Sequence, residues 1–312
     1  MKMHTVSLSR RGFLGGAVAA AAAVTLPKDA FAAACCAKPN SKFNGVQIGT
    51  ITYSYRGLPQ SAEQVLGYLV EDCLSGVELM GGTADSFIGR PNINAKDPDA
   101  NKKWMEFLEK PAFAEKCAAL RKLYNDAGVD IHIVKYGDIG ANNMLEGQME
   151  YYFRVAKAVG AKGITREIDE NAAKVLGPIA DKHQIYIGFH NHTQINAKTY
   201  DGPILSYGKY LAINLDIGHY VAANEDCPIE IVEKYHDRIL SLHLKDRTRK
   251  ANKAQNLAFG KGDTPIAGVL QLMRKKGYTF PADIELEYKI PEGSSQIKEI
   301  ATCVQFCKQA LS

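Results

Sequence analysis

The amino-acid sequence predicts an α/β protein closed as a (β/α)8 TIM barrel. Three observations carry that expectation. Short apolar runs alternate with longer segments of helical period almost to the C-terminus. Polar residues with catalytic or metal-binding chemistry stand at the carboxyl ends of the later runs, where a barrel keeps its site. The alternative, a doubly wound open sheet, lacks support because no glycine-rich phosphate turn follows the first run.

Taken in order, Val46 to Tyr53 reads as the first strand, and Ser61 to Cys73 as its helix. Ser61 caps that helix, and Val65, Leu66, Leu69 and Val70 share one face. Gly76 to Met80 is the second strand, followed by a long glycine- and asparagine-rich loop through Arg90, Asn92 and Asn94. A helix from Asn101 to Asp126 ends at Gly128, a C-terminal stop signal. Asp130 to Tyr136 is the third strand, with Leu145 to Val159 as its helix. Gly163 to Glu167 is the fourth, followed by a helix over Ala172 to Lys182. Ile185 to His192, Leu211 to His219, the run from Ile239, and Ala282 to Tyr288 complete the eight. Helices fit at Pro228 to Tyr235, Pro265 to Gly277 and Ser294 to Leu311. The run Leu211 to Asp216 is apolar on both faces, as a strand of a parallel sheet covered on both sides must be.

The barrel domain is expected over residues 44–312, and residues 1–34 are set aside as a targeting segment. Ser9-Arg10-Arg11-Gly12-Phe13-Leu14 is a twin-arginine export pattern. The alanine-rich stretch after it, Gly15 to Leu26, is too short and too weakly apolar for a membrane span. Ala30-Phe31-Ala32 offers a small-x-small cleavage site. Periplasmic export follows, with a lipid anchor at Cys35 as the lesser alternative, because Ala32 to Cys35 is a poor lipobox.

Removal leaves about 280 residues, which suits one large barrel or two ordinary domains. The net charge of +4 is mixed in origin and forms no basic stripe, so nucleic acid is not an expected partner. No cysteines pair in a metal-type CxxC. Cys303 and Cys307, four apart on a helix face, read as packing residues. Gly260-Lys261-Gly262-Asp263 lacks a preceding strand and reads as a loop over the site rather than a nucleotide motif.

The last four strands end on His190 and His192, Asp216 with His219, His243, and Glu285 with Glu287. Each alone is weak, since a single histidine after an apolar run is more often structural than a ligand. Barrel closure, however, brings neighbouring carboxyl ends to one axis. A set of imidazoles and carboxylates without thiolate suits Mn, Zn, Co or Fe, and Mg less well. Asp216, His243 and one glutamate would give three ligands, and His190 or His192 a fourth. The remaining positions are left for water or substrate.

Asp216-x-x-His219, His243-x-Lys245-Asp246 and Ile284-Glu285 resemble the xylose isomerase-like TIM-barrel superfamily over Val46 to Leu311. That superfamily includes sugar phosphate isomerases and epimerases, inosose dehydratases and endonuclease IV. The resemblance implies a divalent metal held by His190, Asp216, His243 and Glu285. The fifth strand departs from the epimerase pattern, with Phe189-His190-Asn191-His192 where a glutamate would stand. That feature resembles the histidine-rich fifth strand of the inosose dehydratase and keto-sugar branches. An endonuclease role is set aside, because it needs further histidines on earlier strands and His132 is the only candidate there.

The implied chemistry is proton abstraction beside a carbonyl of a small carbohydrate, leading to isomerisation or epimerisation. The alternative from the same site is elimination from a 3-keto-glycoside or inosose. By the period-two rule Glu287 shares a face with Glu285, so one can ligate and the other act as base. Glu167 is a second candidate acid–base group, His219 an orienting group, and Lys245 an electrostatic partner for developing negative charge. Tyr55, Arg56, His192 and Arg247 are candidate substrate contacts, while Tyr53 and Glu78 read as core packing and a rim salt bridge. A homo-oligomer is compatible with all of this.

Overall fold

Eight parallel strands close on themselves in this computed structural model, which describes residues 38–312. The export signal expected at residues 1–34 lies outside the described residues. In chain order the strands are β1 (Val46–Ile51), β2 (Gly76–Met80), β3 (Asp130–Lys135), β4 (Gly163–Glu167), β5 (Tyr186–His190), β6 (Leu211–Asp216), β7 (Ile239–Leu244) and β8 (Ala282–Ile284). Each pairs with its neighbour in sequence, and β8 pairs back onto β1 through Ala282–Ile48 and Ile284–Thr50, closing the ring. The (β/α)8 TIM barrel is therefore the fold.

The outer helices are α1 (Ala62–Glu71), α2 (Gly81–Ile88), α3 (Ala100–Leu108), α4 (Pro111–Asp126), α5 (Glu146–Val159), α6 (Glu170–His183), α7 (Ile217–Ala223), α8 (Pro228–Tyr235), α9 (Ile266–Lys276) and α10 (Gln296–Ala310). Ser61 caps α1 as expected, with Gln64 returning the bond in a capping box. Cys303 and Cys307 pack within the core on α10 and form no disulfide.

Two expectations about the outer layer need correction. The stretch after β2 is not a continuous loop: Gly81–Ile88 is helix α2, ending on Gly89 with φ +81°. Its first residues are small because Gly81 packs beneath the Tyr136 ring, where a Cβ would come within 2.2 Å. The single helix expected from Asn101 to Asp126 is two. Pro111 begins α4 at its first turn, and the residue before it, Lys110, is extended at ψ 131°.

Between β5 and β6 the described chain has only two short 3-10 turns, Thr199–Asp201 and Pro203–Leu205. The loop at Tyr207 and Gly208 lies directly on α6. A Cβ at Gly177 would stand 2.0 Å from the Tyr207 carbonyl oxygen, so only glycine permits this approach.

Alternation on the strands divides the barrel. On β6, Leu211, Ile213 and Leu215 face the helices within the main core, whereas Ala212 packs with Ile133 and Leu240 in a small apolar cluster of its own. Towards the strands' N-terminal ends, His132 Nε2 lies 3.0 Å from both oxygens of buried Asp283. The polar groups at the opposite, carboxyl end form the site.

Candidate metal centre and active site

The centre is built on β6. Asp216 ends that strand and caps α7, accepting a hydrogen bond at Oδ1 from the His219 backbone N–H at 2.6 Å. Its backbone is clamped by the residue that follows β5: Asp216 N–H donates to Asn191 Oδ1 at 2.9 Å, and Asn191 Nδ2 donates to the Asp216 carbonyl at 3.1 Å. Gly218 is required because a Cβ there would lie 2.4 Å from the Lys245 carbonyl oxygen. The Asp-Ile-Gly-His order is thus a strand end, a cap, a close approach and a presented imidazole.

Beside it, β7 delivers His243 and then Lys245. His243 is fully buried between two carboxylates, with Nδ1 2.9 Å from Glu285 Oε2 and Nε2 2.9 Å from Glu78 Oε2. Burial opposes its charge, but Glu78 and Glu285 outweigh burial and push the imidazole up to about 10. Glu285 also feels burial, yet Lys245 and His243 hold it well below the ordinary carboxylate range. Asp216 is raised, because burial and Glu285 prevail over Lys245 and His243.

The regular ladder of β8 stops at Ile284, short of the expected Tyr288, because hydroxyls take it over. Ser54 Oγ accepts from Leu286 N–H at 3.0 Å, and Thr50 Oγ1 donates to the Ile284 carbonyl at 2.8 Å. Ser54 belongs to the 3-10 turn Thr52–Tyr55, which ends the first strand earlier than the expected Tyr53. This pinning presents Glu285 and Glu287 to one ammonium. Lys245 Nζ is 3.1 Å from Glu285 Oε2, 2.8 Å from Glu287 Oε2 and 3.0 Å from Asp216 Oδ2.

Donor atoms from His190, Asp216, His243 and Glu285 all lie within 4.8 Å of one another, and all four residues are buried. Asp216 Oδ2 faces Lys245 but accepts no well-directed hydrogen bond, leaving a buried lone pair for a cation. His190 Nδ1 stands 2.7 Å from Asn214 Oδ1, whose amide nitrogen donates to Ser241 Oγ at 2.7 Å. With Asn214 Oδ1 as acceptor the His190 proton belongs on Nδ1, which leaves Nε2 as the candidate ligand atom. Two imidazoles and two carboxylates suit a divalent ion of borderline character.

His190, His192 and His219 form a second close set. It carries no carboxylate and needs the same His190 nitrogen, so the two sets cannot be filled through it together. Moreover, His219 Nε2 is 2.9 Å from Lys245 Nζ and its Nδ1 is 2.6 Å from Arg247 Nη1. Burial and these two cations lower His219 to about 3.

The other sequence-derived candidates divide. Glu287, Lys245, His219 and Arg247 are contiguous with the centre. Glu167 lies on the far wall, its Oε1 accepting from Lys135 Nζ at 2.8 Å and its Oε2 3.4 Å from His192 Nε2. Arg56 reaches the β8 exit, donating to the Leu286 carbonyl at 2.5 Å and covering the Tyr53 ring. Tyr55 is displaced from its expected role. It is fully buried, donates its hydroxyl to Asp72 at 2.7 Å and packs on Tyr68, because the 3-10 turn rotates it outward into the helix layer. Tyr53, expected in the core, is the exposed ring at 40%.

Glu78 is not a rim salt bridge. It is buried inside the barrel with Thr165 Oγ1 donating to its Oε1 at 2.5 Å. Lys135 and Asn214 were also missed, although each is the inward-facing polar residue of an otherwise apolar strand end. The Gly260–Asp263 loop is anchored by Asp246, which accepts backbone N–H bonds from Lys261 at 3.1 Å, Gly262 at 3.0 Å and Thr264 at 3.2 Å.

Comparison with known proteins places the chain among relatives. A family described as xylose isomerase-like TIM barrel matches residues 99–307. The chain is similar to inosose dehydratase of Clostridium tetani, 24% identical over 245 residues, covering 70% of this chain and 75% of that protein. Its fold is similar to the crystal structure of a probable 3-DHS dehydratase from Bacillus anthracis, with TM-score 0.62, 13% identity, and coverage of 83% and 98% of the two chains. It is likewise similar to apo 3-keto-D-glucoside 4-epimerase from E. coli, with TM-score 0.58, 13% identity, and coverage of 84% and 100%.

Proposed function

The chain belongs to the xylose isomerase-like TIM barrel family, and from that premise we propose that it is a metal-dependent isomerase or epimerase of a keto-sugar. The observation that carries the reading is the placement of two acid–base carboxylates around one ligand cluster. Glu287 follows β8, and Glu167 ends β4, the strand diametrically opposite in the ring of eight. A substrate held between them has a carboxylate on each side. One can take a proton from carbon while the other returns it from the opposite face, as inversion requires.

His190, Asp216, His243 and Glu285 would hold a divalent ion such as Mn, Zn, Co or Fe. Such an ion supplies Lewis-acid stabilisation of the negative charge that develops on the substrate oxygens. Glu287, held by the Lys245 ammonium at 2.8 Å, acts as base. Lys135 holds Glu167 in the same way, at 2.8 Å. His219 stays neutral and orients a substrate hydroxyl, with Arg247 fixing its ring. His192 and Arg56 line the opening.

A second reading, elimination by the same proton loss, is favoured by the similarity to inosose dehydratase. Product analysis separates the two. Purified protein, its metal content measured, is incubated in deuterated water with 3-keto-glycosides, inososes and free ketoses and followed by NMR. Solvent deuterium at carbon without loss of water or aglycone supports isomerisation, and release of either supports elimination. A metal-free, folded barrel that only binds sugar would sink both.

We also propose that residues 1–34 export the folded enzyme by the twin-arginine route, which favours a free or glycosidic sugar over a phosphorylated one. Cytoplasmic retention of the Arg10→Lys, Arg11→Lys double variant tests this, and undiminished export would exclude it.

A further inference from the structure

Glu78 is fully buried on β2, and an ionised carboxylate there is costly unless it is paired. It has two partners, the Thr165 hydroxyl and His243 Nε2, and the second reaches across the barrel from a strand that is not a neighbour of β2. The carboxylate can only accept, so Nε2 must carry the proton. A neutral imidazole then has its lone pair on Nδ1, the nitrogen that stands 2.9 Å from Glu285 Oε2. Two ligand atoms bound about 2.1 Å from one ion, and adjacent around it, lie about 3.0–3.4 Å apart. Without a proton or cation between them, a lone pair and a carboxylate oxygen at this separation repel.

We propose that Glu78 is a positioning residue of the metal centre, holding His243 by Nε2–H so that Nδ1 faces the metal. The proposal rests on the metal-dependent reading above and deepens it. The two ligand imidazoles then meet the ion through different nitrogens. Asn214 holds His190 Nδ1–H and exposes Nε2, while Glu78 holds His243 Nε2–H and exposes Nδ1. Each outer partner is fixed in turn, Asn214 by Ser241 and Glu78 by Thr165.

The test uses the full mature chain with Zn²⁺ as the probe. In 15N-labelled wild-type protein, long-range proton–nitrogen NMR identifies the metal-bound nitrogen of His243, with Nδ1 bound and Nε2 protonated as the expected result. Chelator competition should show Glu78→Ala weakening Zn²⁺ binding by about 10–100-fold, as loss of an outer-shell partner does. Glu78→Gln keeps an acceptor and should lose less than Glu78→Ala. Zinc on Nε2, or a Glu78→Ala affinity within twofold of wild type, overturns the proposal while leaving the metal site standing. Should Glu78→Ala not fold, the wild-type spectrum still decides. Failure of the wild type to bind any divalent ion removes the metal reading and this proposal with it.

Discussion

The Lys245 ammonium lies 2.8 Å from Glu287 Oε2 and is almost fully buried, at 1% exposure. Its other carboxylate partners, Asp216 and Glu285, belong to the candidate ligand cluster, so one side chain ties the candidate base to the candidate metal centre. Burial works against that charge, but the three carboxylates prevail and keep the lysine protonated.

Glu287→Gln should separate base from ligand. Removal of a positioned general base costs about 10²–10⁴ in rate, whereas Zn²⁺ affinity should stay within threefold if Glu285 is the ligand. Deuterium exchange and metal titration on the same preparation check both. A parallel collapse of affinity would make Glu287 a ligand and shift the base role elsewhere.

Lys245→Met leaves three carboxylates without their cation. Metal-free protein should lose about 3–5 kcal/mol, the usual cost of breaking a buried charge pair. A divalent ion held by Asp216 and Glu285 would neutralise two of the three, so saturating Zn²⁺ should restore much of the loss, with binding at about 1,000 times Kd contributing about 4 kcal/mol. Denaturant unfolding with and without metal measures this. Equal stability of variant and wild type in the metal-free state would contradict it.

Metal binding should strengthen with pH. His243 is pushed up to about 10 when folded, against about 6.5 unfolded. The folded protein therefore binds the extra proton, and this term stabilises metal-free protein below about pH 6.5 and fades as pH rises towards 10. A metal must displace that proton, so apparent affinity should rise about tenfold per unit between about pH 7 and 9. A flat profile would remove His243 from the ligand set.

Gly177→Ala probes the fold and not the chemistry. The added methyl would meet the Tyr207 carbonyl oxygen at 2.0 Å, where the loop between β5 and β6 presses on α6. Overpacking of this kind costs about 1–3 kcal/mol. Thermal unfolding should show the loss while Zn²⁺ affinity is unchanged; unchanged stability would mean that the loop moves away freely.

Much of this was legible in the linear pattern, for reasons that are local. Leu211 to Asp216 is buried on both faces, with helices over one side and the barrel interior on the other, and its apolar residues Leu211, Ala212, Ile213 and Leu215 make that readable. Asp216, His243 and Glu285 are visible because polar residues at the ends of such runs must go somewhere chargeable. Helix α2 was missed because Gly81 and Gly82 are poor helix formers, and packing under Tyr136 overrides that preference. The break at Pro111 carried a local signal that helical period alone obscured. Tyr55 misled because a 3-10 turn, not a strand, carries it.

By itself the sequence determined the barrel, the order of its strands and the residue types that meet at their carboxyl ends, since periodicity and burial are properties of each segment alone. Only the tertiary structure decided which side chains share one ion-sized space. It brought Glu78 of β2 to His243 of β7, set Glu167 opposite Glu287, and gathered three carboxylates on Lys245. Those relationships depend on ring closure and on the direction of each side chain across the barrel, and neither is a property of any single segment.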